Sequence, residues 1–204
     1  MFKAARITVL LFVLFMVAMG TWLAERRSTD WNNSLWVKIY PINGDGSGVS
    51  EKYIDGLSVD TFAGIEQFLA REVQRYDHGL ARPVRIELGE PVREQPPAID
   101  DTGSMLDIML WSLKMRWWVS DVAGDQDRIE PDVRIFVRYH SPQKTLRLEN
   151  SVGVQKGMFG VVNAYSNRKY AGRNNVVIAH EFLHTLGATD KYDLATGIPL
   201  PPHG

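Results

Sequence analysis

Apolar residues in this chain fall into runs of three kinds. The first, Ile7 to Ala24, is almost unbroken, with Lys3 and Arg6 before it and Glu25, Arg26 and Arg27 after it. Eighteen such residues in a helix reach about 27 Å, close to the hydrocarbon thickness of a bilayer. Residues 1–27 are therefore expected to form a signal anchor, a single transmembrane helix. Positive charge ahead of the run exceeds the net positive charge behind it. That predicts a cytoplasmic N-terminus and a domain, residues 28–204, outside the cytoplasm, periplasmic if the source is a bacterium. The competing expectation is a cleaved signal peptide with a weak site at Ala18-Met19-Gly20 and a secreted domain; the length of the run favours the anchor. Trp22 and Trp31 are candidates for the membrane interface.

The second kind alternates. Leu35 to Tyr40 predicts a strand ending at Pro41, Val84 to Leu88 a half-buried strand, and Val133 to Tyr139 the strongest strand of the chain. Thr145 to Leu148 and Gly157 to Ala164 are expected to be further strands. The third kind has helical spacing. Phe62, Ile65, Phe68, Leu69 and Val73 predict an amphipathic helix over Val59 to Tyr76, with Ser58 or Asp60 as cap. Met105 to Val119 predicts a second helix whose Trp111, Trp117 and Trp118 are assigned to the core. Asn174 and Asn175 are expected to cap a third, carrying Val176, Val177, Ile178, Phe182, Leu183 and Leu186. Between these elements, Asn43 to Gly48 and residues 91–102 predict loops, and Asp121, Asp125 and Asp127 a turn. The 43–48 loop lacks EF-hand spacing and is expected to be a solvated turn. His140 is assigned a structural or exposed position. The order of elements predicts an α+β domain, a twisted mixed sheet backing the last helix.

Composition narrows the function. The 204 residues carry 45% hydrophobic residues and a formal net charge of −1, ordinary for one globular domain. Setting aside Lys3 and Arg6, 21 basic residues face 24 acidic ones, which excludes nonspecific binding of nucleic acid. There is no cysteine. Disulfides, thiolate ligands and a thiolate latency switch are thereby excluded, so any metal must be held by His, Asp or Glu.

The segment His180-Glu181-Phe182-Leu183-His184-Thr185-Leu186-Gly187-Ala188-Thr189-Asp190 supplies that chemistry. Positions i and i+4 of a helix share a face, so His180 and His184 can address one metal ion. Glu181, one residue on, is placed to act as general base on a metal-bound water. Gly187 permits the turn that brings Asp190 back as a third ligand, with a fourth position left for water. Incidental histidines on a structural helix are the alternative. No Glu follows Glu181, so a ligand further downstream can come only from Asp190, Asp193 or His203.

Residues 180–193 resemble the metzincin-type zinc metallopeptidases, whose motif is HExxHxxG followed by a third ligand. The Asp variant HExxHxxGxxD is similar to that of snapalysin-like enzymes, and Asp190-Lys191-Tyr192-Asp193 to the Asp-x-Tyr-Asp of immune inhibitor A-like peptidases. The resemblance implies a zincin-like fold, Zn2+ on His180, His184 and Asp190, Glu181 as base, and peptide or protein substrates. It also implies a methionine-containing turn after the third ligand, yet no Met follows Met158. The expectation is a C-terminally incomplete chain. By the same analogy the strand within Met158 to Tyr165 would be the sheet edge that receives an extended substrate. Tyr192 or Tyr165 could stabilise an oxyanion, although a core or rim role is favoured for both. The leading expectation is a membrane-anchored extracytoplasmic zinc endopeptidase. The alternatives are a noncatalytic zinc-stabilised binding or assembly module, its fourth ligand drawn from Asp193 or His203, and a hydrolase of non-peptide amides.

Overall fold

Alternation along Leu35–Asn43 makes β1, the strand on which the sheet is built. The computed structural model describes residues 6–12, 14–16, 19, 33–76, 80–98, 105–124, 129–154 and 158–190. After β1 come α1 (Gly48–Asp55), a 3-10 turn (Val59–Phe62) running into α2 (Ala63–Arg75), β2 (Val84–Leu88), α3 (Met105–Gly124), β3 (Val133–His140), β4 (Val152–Val154), β5 (Phe159–Tyr165) and α4 (Ala171–Thr185). The architecture is α+β. The five strands lie in the order β2-β1-β3-β5-β4, the first four parallel and β4 antiparallel at the edge.

Strand periodicity divides the core into two layers. On one face Ile39, Ile135 and Val162 meet Ile65 and Leu69 of α2 and Ile178 and Phe182 of α4. On the other, Tyr40, Phe136 and Phe159 meet Met115 and Trp118 of α3, with Tyr40 stacked on Phe136 at 5.1 Å. The helix bearing the metal motif is thus held against the sheet by its own apolar side, and the opposite side faces solvent.

β1 runs through Pro41 instead of stopping there. The Pro41 carbonyl accepts from Val92 N, so its nitrogen faces the side on which β2 has already ended at Leu88, and no ladder bond is lost. Thr145 to Leu148 is not a strand. Lys144 N and Thr145 N both donate to Ser141 O, which turns the chain out of the sheet and leaves Leu146 exposed. The strand of this region is the shorter β4. β5 consequently lies between β3 and β4, so the edge expected within Met158 to Tyr165 belongs to β4.

Two further differences concern helices. α1 has no long apolar period; it is started by Ser47, whose hydroxyl accepts from Ser50 N. α3 extends to Gly124, and its three tryptophans part company. Trp118 is buried, Trp111 is half-buried with its indole N–H on Pro97 O, and Trp117 is 74% exposed, so Trp117 is not a core residue.

Of the expected anchor, residues 6–12, 14–16 and 19 are helical, with exposed apolar side chains. The rest of 1–27 lies outside the described residues. Among the described residues no helix is long and apolar enough to cross a membrane. The expected C-terminal segment from Lys191 onward, with Tyr192, Asp193 and His203, also lies outside them.

Candidate metal centre

The helix that carries the motif begins earlier than its asparagines suggest. Asn174 and Asn175 sit inside α4 rather than capping it. Asn174, buried, accepts from Tyr165 N and donates to Tyr165 O, tying the first turn of α4 to the end of β5. Asn175 Nδ2 donates to Thr61 O at 2.8 Å, joining α4 to the turn before α2. The helix is therefore fixed at its start, and its last two turns are placed by apolar contact with the sheet.

Its end is built by Gly187. At φ +93° this residue adopts a conformation that a Cβ opposes. Gly187 N donates to His184 O and Ala188 N to Leu183 O, both at 3.0 Å, the paired bonds of a Schellman ending. The reversal brings Asp190 back over the last turn. Its carboxylate oxygens stand 3.6 Å from His180 Nε2 and 3.5 Å from His184 Nε2, and the two Nε2 atoms are 3.0 Å apart. His180, His184 and Asp190 are thus brought together as a three-donor group.

The three separations can be tested against a metal ion. Bonds of about 2.0–2.1 Å in a tetrahedral shell put ligand atoms roughly 3.3 Å apart; each histidine is near that distance from one of the two Asp190 oxygens, and one donor atom from each of the three residues lies within 4.8 Å of the others. Orientation agrees. His184 Nδ1 lies 2.7 Å from Ala188 O, and since a carbonyl only accepts, Nδ1 carries the proton and Nε2 presents its lone pair toward His180 and Asp190. A proton or a cation must then lie between the two Nε2 atoms. The donor set, two imidazoles and a carboxylate, suits zinc and several other divalent transition metals.

Glu181 points elsewhere, because one residue turns a helix by about 100°. It is 7% exposed, at the boundary between the core and the donor group. Burial raises its pKa above the usual carboxylate value, against the lowering effect of nearby His180 and His184 and of a hydrogen bond from the Gly153 backbone N–H. That N–H is on the outer side of β4, which crosses α4 at this point. The crossing is close: a Cβ at Gly153 would overlap the Glu181 carbonyl oxygen and come within 2.7 Å of His184 Cβ. Gly153 carries no motif signal in the sequence, and only the crossing reveals it.

Tyr165 is not brought to the centre. Its hydroxyl donates to Leu146 O at 3.0 Å and its ring packs on Tyr170, beside the first turn of α4 and about 15 Å along the helix from His184. His140 is buried, its Nε2 3.0 Å from Asn163 Oδ1, in keeping with a structural position. The 43–48 loop is closed by Asp45, which accepts from Ser47 within the loop and from Ser141 N at the end of β3. Beside His180 a groove of about 480 Å³ runs between α2 and α4, lined by Ile65, Phe68, Val176, Ala179 and Leu183. No protein-family model and no curated protein matches the chain.

Proposed function

We propose that the chain is a membrane-anchored, extracytoplasmic zinc endopeptidase of the metzincin kind, with residues 28–204 as its catalytic domain. The observation that carries this reading is the triangle of His180, His184 and Asp190 with Glu181 buried beside it. A purely structural site has no use for a buried, proton-accepting carboxylate next to its ligands. His180 Nε2, His184 Nε2 and the Asp190 carboxylate would hold the ion. When bound, zinc lowers the pKa of a coordinated water and polarises the carbonyl to be cleaved.

The chain's own groups do the rest. Glu181 accepts the proton of the attacking water on its carboxylate and later delivers it to the departing amine. Its burial favours the protonated form and so helps it take that proton. Gly153 N–H orients the carboxylate, and the His184 Nδ1–H bond to Ala188 O holds the imidazole plane. The donor atoms lie on the open side of α4 and its following turn, where an extended peptide can reach them. The groove beside His180 accommodates an apolar side chain of that peptide.

The test is zinc stoichiometry by elemental mass spectrometry on the full chain, together with peptide-library cleavage read by mass spectrometry. Near one zinc and cleavage are expected for the wild type. Glu181→Gln should keep the zinc and lose cleavage by about 10²-fold or more, and Asp190→Ala should lower zinc occupancy. Zinc without hydrolysis of any peptide would favour the noncatalytic module, and hydrolysis of non-peptide amides alone would move the substrate class. A folded chain that takes up no zinc sinks the reading.

A further inference from the structure

α3 is apolar on two sides. Its inner side, with Met115, Trp118 and Val119, is buried on the sheet. Its outer side carries Met109, Leu113 and Trp117 at successive four-residue steps, with Leu110 beside them, and these are 59%, 63%, 74% and 55% exposed. Residues four apart on a helix form one line, so this is a continuous stripe about 12 Å long rather than scattered surface apolar residues. A helix apolar all round is a buried helix, and one of its two sides here lacks a cover among the described residues.

The chain itself indicates what covers it. Residues 25–34 join the apolar N-terminal run to β1, and ten residues extend at most about 36 Å. β1 and β3 are parallel with Val37 beside Val133, and α3 leads into β3. The C-terminal end of α3, about 10 Å beyond Trp117, is therefore at the same end of the sheet as the start of β1, where the tether enters. Lys114 and Arg116 fall on opposite flanks of the stripe, positions from which long stems can cross an interface and keep their charges in water. Asp107 and Asp121 fall on the Lys114 flank, so the attraction is apolar rather than electrostatic.

We infer that the outer face of α3 docks in the bilayer interface, inserting Met109, Leu113 and Trp117 and setting a fixed orientation of the domain on the membrane. The inference rests on the anchor reading and goes beyond it, because a tether alone leaves the domain free to rotate. Neutral lipid suffices on this account.

The chain has no cysteine, so one introduced thiol is a unique label site. Full-length L113C, and separately V176C on α4 across the sheet, would carry an environment-sensitive fluorophore. Each would be reconstituted into phosphatidylcholine vesicles with or without doxyl-labelled acyl chains, and flotation would be scored in parallel. At position 113 the emission should shift to the blue and fall by about half or more with doxyl lipid, the interfacial depth being about 5–10 Å, while position 176 stays unquenched. Flotation with position 113 as unquenched as 176 would keep the anchor and overturn the docking. Failure to float would remove both. A blue shift at 113 that ignores doxyl lipid and grows with protein concentration would show a second copy covering the stripe, and would overturn the docking as well.

Discussion

Replacing Gly153 by alanine tests the crossing of β4 over α4, on which the placement of Glu181 depends. The added methyl would stand 2.7 Å from His184 Cβ and overlap the Glu181 carbonyl, whereas ordinary contact begins at 3.4 Å. Neither obstacle is a flexible tip; one is backbone and the other is the root of a side chain. The tighter overlap, with the Glu181 carbonyl, therefore requires β4 to move off α4 by about an ångström, and the Gly153 N–H moves with it. Overpacking of this sort costs about 1–3 kcal/mol, and weakening a hydrogen bond to a charged acceptor up to about 1.5–3 kcal/mol more. For a domain of this size a total of about 2.5–6 kcal/mol lowers Tm by roughly 5–24 °C. Displacing a proton-transfer group by nearly an ångström costs on the order of 10²-fold in kcat/KM. Zinc should stay bound, since none of the three donors is on β4. The measurements are thermal unfolding, zinc stoichiometry and peptide cleavage on one preparation. Gly172→Ala provides the contrast: it lies in the first turn of the same helix, nothing stands within 4 Å of its added methyl, and a gain of about 0.5–1 kcal/mol is expected. A Gly153→Ala protein with unchanged Tm and kcat/KM would refute the coupling between the sheet edge and the base.

Three other outcomes can be measured with the same material. Asn174→Ala should cost about 1–3 kcal/mol in chemical denaturation, because it strips the N–H and the carbonyl of Tyr165 of their shared partner. Zinc added to the stripped protein should raise Tm, by about 2.7 kcal/mol of stability at a hundredfold excess over Kd, and the rise should vanish in His180→Ala. Asp45 gives a pH signature. Desolvation raises its pKa, but hydrogen bonds from Ser141, Ser47 and Ser50 outweigh that and hold it well below the usual carboxylate value. A depressed folded pKa means stability that is present above the unfolded value of about 3.9 and is lost as pH falls toward the folded one. Asp45→Asn should therefore cost about 1–2 kcal/mol at pH 7 and progressively less below about pH 4, and a difference that does not change with pH would contradict the assignment.

The elements found from pattern alone are those whose two faces differ. β2 and β3 alternate between core and solvent or between two packed layers, and α2 buries Ile65, Leu69 and Val73 at helical spacing. α1 has eight residues and buries only Ser50 and Ile54, too few to set a period. β4 has three residues, all half-buried, so alternation has nothing to mark; the more regular Thr145 to Leu148 looks like a strand but has no partner to bury against. Trp117 shows the limit of composition. It is adjacent in sequence to Trp118, yet 100° of helical rotation places one in solvent and the other in the core. The donor spacing of the site was legible because His180, His184 and Asp190 lie within eleven residues on a helix and its turn. The oxygen that orients His184, Ala188 O, and the N–H that holds Glu181, from Gly153, belong to backbone, for which side-chain patterns carry no signal.

That division has a chemical consequence. His180 and His184 face outward on α4 and Asp190 returns beside them after the turn, on the side open to a metal and a substrate, while the residue following His180 is turned toward the core by the geometry of the helix. Glu181 is therefore desolvated by the same apolar side that fastens α4 to the sheet, and that burial is the largest cause of its raised pKa, with Asp190 adding to it and His180 and His184 opposing it. The burial that raises the proton affinity of Glu181 thus comes from a side of α4 about 100° from the one that carries His180. Substitutions under the helix, at Ile178 or Phe182, should shift that proton affinity with little effect on metal affinity, and changes at Ala188 or Gly187 should do the reverse.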